Sequence, residues 1–373
     1  MEVLLENFNY ITWQMLVMWA IGGVLIYLAI AKEMEPTLLL PMGFGAILVN
    51  LPIAVPDTGV QHVLNTLFSI GIEGAELFPL MLFIGIGAMI DFTPLLTNPK
   101  LMIFGAAAQF GIFFTLAAAS LLGFEIQDAA SIAIIGAADG PTSIFVATEL
   151  GSKYLGAIMV AAYSYMALVP LVQPPIIKLC TTKAERKIKM QYKGKPVSKL
   201  TKILFPIVVT IIVGLVAPDA VALIGFLMFG NLIRECGVMS SISETAQNAL
   251  ANLITIFLGI TIASQMKASE FLQLDTLIII GLGLVAFVFD TFGGIMVAKI
   301  MNLFSKEKIN PMIGAAGISA FPMSARVVHK MGLEEDNQNF LLMHSIGVNV
   351  SGQIASVIAG GLILALVKAM IGG

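Results

Sequence analysis

Apolar runs separated by short polar turns follow one another along almost the whole chain. Trp13 to Ala31 is the cleanest, long enough to cross a bilayer as one helix. The cluster Lys32-Glu33-Met34-Glu35-Pro36 ends it, and Thr37 to Leu51 forms a second run. Pro52 to Gln61 reads as a polar turn, and Val63 to Gly74 as a half-amphipathic helix lying at the membrane interface. Leu77 to Ile90, Leu101 to Leu122 and Tyr154 to Ile177 are further spans. The second half gives Leu204 to Ala217, Ala220 to Ile233, Ala249 to Ser264, Leu277 to Phe289 with Ile295 to Phe304, and Phe340 to Val367. The pattern predicts an all-α polytopic membrane protein.

Three apolar regions are interrupted. The stretch Ile134-Ile135-Gly136-Ala137-Ala138-Asp139-Gly140-Pro141-Thr142-Ser143 lies inside Ala129 to Leu150. Proline in mid-helix removes a backbone donor and clashes with the preceding turn, so a break is expected there. Freed backbone groups at membrane depth are tolerated only inside protein or along a cavity. An acid beside such a break points to a cation site; the plain alternative is a capped helix end wetted at the surface. Asp290-Thr291-Phe292-Gly293-Gly294 is expected to interrupt a second span, and Asn310 to Val327 is a third broken, small-residue segment containing Arg326.

Composition agrees with the pattern. The 373 residues are 58% hydrophobic and 12% charged, with a mean hydropathy of +0.95, against about one quarter charged in soluble domains. A soluble enzyme and a nucleic-acid-binding protein are both excluded. Cys180 and Cys236 form no motif, and His62, His329 and His344 show no ligand spacing. The acidic start Met1 to Asn9 lacks the basic region of a cleavable signal peptide.

Charge is concentrated in one place. Lys178, Lys183, Arg186, Lys187, Lys189, Lys193, Lys195 and Lys199 face one acid, Glu185, so eight of the twenty Lys and Arg residues sit in residues 178–199. The positive-inside rule places this segment in the cytoplasm. A solvated topology anchor explains most of it; docking of a soluble partner is the additional reading. It also divides the chain into a first membrane repeat (1–177), a basic loop (178–200) and a second repeat (201–373). Pro36, Gly43 and Phe44 recur as Pro218, Gly225 and Phe226, an offset of 182. Phe83, Gly85 and Ile86 recur as Phe257, Gly259 and Ile260, an offset of 174. Phe110-Gly111 recurs as Phe292-Gly293, and Ile135-Gly136-Ala137-Ala138 as Ile313-Gly314-Ala315-Ala316. Ordered matches at similar offsets argue for an internal duplication. Halves with an odd number of spans would be inverted, with broken helices meeting near the bilayer midplane.

Hard cations take oxygen from carboxylates, amides, hydroxyls and carbonyls. The first break offers Asp139, Thr142 and Ser143; the third offers Asn310, Ser319 and carbonyls freed near Gly314, Gly317 and Pro322. Asp290 is either a further ligand or a cap for the segment after it. Arg326 either snorkels to the headgroups or holds an anion by paired hydrogen bonds. The Tyr165 hydroxyl needs a partner: it passes a proton or bonds a carbonyl.

Gly136-Ala137-Ala138-Asp139-Gly140-Pro141-Thr142, Tyr163-Ser164-Tyr165, Gly314-Ala315-Ala316-Gly317-Ile318-Ser319-Ala320-Phe321-Pro322 and Asn349-Val350-Ser351-Gly352-Gln353 together resemble the β subunit of the sodium-translocating, biotin-dependent decarboxylases. The resemblance runs from about Trp13 to Val367. It implies a subunit that takes carboxybiotin from a partner biotin-carrier protein and decarboxylates it. The released energy drives sodium outward across the inner, cytoplasmic membrane of a bacterium, and a proton is consumed. It puts the essential aspartate at Asp139, the functional tyrosine at Tyr165, further residues at Asn310, Gly314, Ser319 and Arg326, and an amide at Asn349. Sodium is then expected at Asp139, Thr142, Ser143, Asn310, Gly314, Ser319, Asn349 and Ser351, and carboxybiotin at Arg326 and Ser319. Asp139, Tyr165 and Arg326 are the expected catalytic residues. The implied partners are a carboxyltransferase subunit, the carrier, a small membrane subunit and further copies of the chain. Ile188-Lys189-Met190 is a poor imitation of a biotinyl site, so biotin must arrive on a partner. An acyl-CoA substrate, methylmalonyl-CoA or glutaconyl-CoA, is favoured over oxaloacetate by chain length. The competing readings are a stand-alone sodium-coupled carrier or cation/proton antiporter, and a passive membrane anchor.

Overall fold

The computed structural model describes residues 6–52, 59–74, 76–191, 194 and 196–372. The start Met1–Leu5, most of the turn after Pro52, and Lys193 and Lys195 lie outside them. Among the described residues every regular element is a helix. The first half comprises α1 (Trp13–Ala31), α2 (Pro36–Val49), α3 (Val60–Phe68), α4 (Leu77–Met89), α5 (Met102–Ala107), α6 (Phe110–Leu121), α7 (Ile126–Ala133), α8 (Gly140–Glu149) and α9 (Leu155–Cys180). The second comprises α10 (Lys199–Val216), α11 (Val221–Cys236), α12 (Ser240–Ala263), α13 (Leu274–Phe304), α14 (Met312–Ala315), α15 (Met323–Glu335) and α16 (Leu342–Ile371). Seven helices among the described residues are long and apolar enough to cross a membrane.

Two breaks differ from expectation. No interruption occurs at Asp290: α13 runs 31 residues without a gap. Gly293 and Gly294 allow close approach instead, since a Cβ on Gly294 would lie 2.1 Å from the Gly314 carbonyl oxygen. The expected span Leu101 to Leu122 is interrupted between α5 and α6, at Ala108 and Gln109. Asp290 closes that gap. Its Oδ1 accepts the amides of Gly111 and Ile112, the latter at 3.2 Å. It therefore caps a helix of the first half rather than the segment after it, satisfying amides that lipid would leave bare.

The ends of the elements sort by charge. Ser152 Oγ donates to Asp128 at 2.8 Å, Tyr154 Oη to Asp275 at 2.9 Å, and Lys368 bridges Glu149 and Asp219. These contacts define an acidic end of the molecule. At the other end Arg186 meets Glu335 at 2.6 Å, Lys189 meets Asp336 at 3.0 Å, and Lys299 meets Glu185 at 3.1 Å. The expected loop is thus folded down. It holds a short helix, Lys183–Arg186, closed by a capping box between Thr182 and Glu185.

This sorting shows that two broken segments do not cross. Helices α7 and α8 begin and finish at the acidic end, where Asp128 and Ser152 touch. Asn310 and Glu335, flanking α14 and α15, are both tied to Arg186 at the basic end. Each segment is a re-entrant hairpin, and they enter from opposite sides. Their tips meet, with the Ser319 amide donating to the Ala137 carbonyl at 3.0 Å. The ten residues of α8 rise about 15 Å, half of the ~30 Å hydrocarbon layer, which sets the meeting point near its middle.

Packing between the halves is reciprocal. Helix α2 packs on α12 as α11 packs on α4, α9 on α13 as α16 on α5, and α8 on α16 as α15 on α9. Two asparagines mark the same exchange. Asn50, after α2, donates to Met266 O at 2.7 Å beyond the end of α12. Asn231 in α11 donates to Ile90 O at 2.9 Å at the end of α4. Because α11 leads directly into α12, the C-terminal ends of α2 and α11 lie at opposite ends of α12.

Candidate functional site

The first hairpin places Asp139 by elementary backbone rules. Ala138 sits in the left-handed region, φ 51°, a conformation costing a non-glycine residue about 1–3 kcal/mol. Gly140 and Pro141 then open α8, where proline has no amide to lose. Asp139 occupies the N-cap position, yet its side chain does not cap the helix. Its backbone carbonyl accepts from the Ser143 amide and hydroxyl instead. The carboxylate is left to face α16.

There it collects three donors on one oxygen. Asp139 Oδ2 accepts from Thr142 Oγ1 at 2.7 Å, Ser356 Oγ at 2.9 Å and Gln353 Nε2 at 3.1 Å. Only 3% of the residue is exposed, which rules out the wetted helix end. Burial of an ionised carboxylate is costly without partners, and these are all neutral. No cation is hydrogen-bonded or ion-paired to it among the described residues. One carboxylate among neutral oxygens suits a monovalent cation. No group of three His, Cys, Asp or Glu residues is found among the described residues.

The opposing tip completes the layer. Ser319 Oγ donates to Gly352 O at 3.1 Å, and Asn349 Nδ2 to Ile318 O at 2.7 Å. Asn349 Oδ1 is buried with no hydrogen-bond partner. Asn349, Gln353 and Ser356 recur at four- and three-residue steps and so share one face of α16. Tyr163 packs its ring against Gly140, and its buried hydroxyl has no partner.

The remaining candidates lie elsewhere. Ser143 bonds backward to Ile134 O and Asp139 O. Ser351 is on the far face of α16, bonded to Leu101 O and Val348 O. Asn310 donates to Arg186 O at 2.8 Å and Ile188 O at 2.9 Å, at the base of the second hairpin. Gly314 packs against Gly294. Tyr165 Oη donates to Ile280 O, the carbonyl bond of the two alternatives. Arg326 is exposed on α15, and its field reaches Glu35. Asp290 Oδ2 is buried without a partner beside Gly136. The sequence reading did not single out Ser356; its spacing from Asn349 and Gln353 was the available signal.

Opposed re-entrant hairpins, reciprocal halves and a buried carboxylate between the tips define a membrane ion transporter. The family model described as the Na+-transporting oxaloacetate decarboxylase beta subunit matches residues 14–367, and the chain belongs to that family. It is 49% identical over 375 residues to the methylmalonyl-CoA decarboxylase subunit beta of Propionigenium modestum, covering 94% of each chain. It is 50% identical over 364 residues to the glutaconyl-CoA decarboxylase subunit beta of Acidaminococcus fermentans, covering 97% of this chain and 96% of the relative. With the oxaloacetate decarboxylase beta chain of Klebsiella pneumoniae it shares 46% over 413 residues, covering 95% of each. The chain is thus a multi-pass membrane subunit of the sodium-transporting decarboxylases, and the stand-alone carrier gives way to that reading.

Proposed function

We propose that Asp139, Thr142, Gln353 and Ser356 form the sodium seat between the hairpin tips, with Ser319 and Asn349 from the opposing side. The observation that carries this is the triple donation onto Asp139 Oδ2 from two elements, at the point where the hairpins meet. Sodium is the cargo, and a proton competes with it for the same carboxylate. The energy source is decarboxylation of carboxybiotin brought by a carrier protein. The N–C bond breaks, CO2 leaves, and the ureido nitrogen takes a proton. Arg326, one turn beyond the second tip, is the proposed clamp for the departing carboxylate. Gly314 and Asn310 act by holding the second hairpin, and Tyr165 by fixing α9 to α13.

The reciprocal packing and the opposed ends of α2 and α11 support an inverted duplication split by the basic segment. Positive charge at one end supports placing that end in the cytoplasm of a bacterial cell. The carboxyltransferase, carrier and small membrane subunit are the proposed partners, with further copies of the chain. An acyl-CoA substrate is supported by alignment length. Alignments to the methylmalonyl-CoA and glutaconyl-CoA relatives span 352–375 positions, and those to the oxaloacetate relatives 412–422.

The purified complex in liposomes tests this reading. Sodium-22 should accumulate when methylmalonyl-CoA or glutaconyl-CoA is added, and CO2 release should require sodium. CO2 release that ignores sodium would overturn it, and turnover of oxaloacetate alone would overturn the substrate assignment. Within the seat, Ser356→Ala removes one of three donors, about 1.5 kcal/mol for a bond to a charged group. The sodium concentration for half-maximal turnover should rise roughly tenfold. An unchanged sodium dependence would remove Ser356 from the seat.

A further inference from the structure

A cavity of about 670 Å³ opens at the basic end. Lys100, Lys189 and Lys308 stand around it, with Leu101, Phe104 and Ile313 beneath. Glu307 also lines it. The volume is typical of a site for a small ring on a chain. Its floor is the rear of the second hairpin tip: a Cβ on Gly317 would lie 2.6 Å from Phe104 O, and Leu101 O accepts from Ser351.

One wall of the cavity, Lys189 to Gln191, is the basic segment itself. The same segment straps the base of the hairpin on both strands. Arg186 O accepts from Asn310 and from Asn339, each at 2.8 Å. The Asn310 amide meets Met190 Sδ at 3.3 Å, and Arg186 and Lys189 pair with Glu335 and Asp336. Arg186 holds the Glu335 carboxyl below the usual carboxylate range, so this tie persists at neutral pH and is lost only as acid protonates Glu335.

We propose that the cavity and the adjoining basic segment are the docking surface for an acidic biotin-carrier domain, whose biotinyl-lysine arm lies in the cavity. This rests on the decarboxylase reading above. Three observations converge on it: a lysine rim over an apolar floor, continuity with the densest positive charge in the chain, and a floor that touches the hairpin tip. A carboxylated ring on a flexible arm is matched by that order of charge and apolar surface. An acidic partner surface would also compete with Asp336 for Lys189, so docking loosens the strap on the hairpin that carries Arg326.

The test compares KM for a carboxylated carrier domain with KM for free carboxybiotin, using the whole complex in vesicles. Lys100 makes no hydrogen bond or ion pair among the described residues, so Lys100→Glu is the first variant and Lys189→Glu the second. The ratio of carrier KM to free-carboxybiotin KM should rise roughly tenfold, more at low salt, since rim charges act on encounter. An unchanged ratio overturns the proposal. So does an equal rise in both constants, which would make the cavity a seat for the small anion alone. An effect confined to vesicles containing anionic lipid also overturns it, by assigning the rim to headgroups. Failure of the decarboxylase reading would appear separately, as a wild-type complex without sodium-dependent turnover.

Discussion

Asp139→Asn is expected to abolish sodium-dependent decarboxylation while leaving the helical fold intact. The substitution keeps the shape of the side chain and removes its charge. Thr142, Gln353 and Ser356 would still surround it, but no anion would remain to offset the cation. Removing one partner of a buried charge pair costs about 3–5 kcal/mol, or roughly 10²- to 10³-fold or more in affinity. Sodium-22 uptake and CO2 release should fall together. Near-normal coupled turnover in the variant would show that the ion binds elsewhere, with Asp290 the next carboxylate to consider.

The second large effect is expected at Gly352. Here α16 passes so close to the second tip that an added Cβ would lie 2.0 Å from Gly317 O. The Gly352 carbonyl also accepts from Ser319. Gly352→Ala therefore pushes the tip off α16 and disturbs the contact between Ser319 and Ala137. Overpacking of this kind costs about 1–3 kcal/mol. Coupled turnover should fall by at least an order of magnitude, with helix content by circular dichroism unchanged. Wild-type turnover would mean that the tip tolerates displacement and that its seat on α16 is not part of the site.

The membrane class, most spans and the meeting of two broken segments could be read from the sequence because apolar run length and proline position act locally. Asp139 was legible for the same reason, since an acid next to Gly-Pro inside an apolar run has few other uses. Asp290 was misread because glycine pairs break helices in water but serve close packing in lipid, and Gly293 and Gly294 do the latter. The hairpins were not legible as hairpins. Whether a broken segment crosses or returns depends on which far ends meet, and that is fixed by contacts such as Asp128 with Ser152 and Asn310 with Arg186. Ser351 was placed with the ligands by its neighbours in sequence, although two positions along a helix turn a side chain to the opposite face. Ser356 shared the correct face and was passed over.

The cap that Asp290 places on α6 also bears on biogenesis. The amides of Gly111 and Ile112 wait for a carboxylate that is 179 and 178 residues downstream. At about 5–20 residues per second, the ribosome delivers it roughly ten to forty seconds later. Over that interval the first half sits in the bilayer with the start of α6 unsealed. Asn50, which needs Met266 and Ala268, waits longer still. Neither half is a self-sufficient folding unit, so a nascent first half must be shielded in the membrane until its counterpart is inserted beside it.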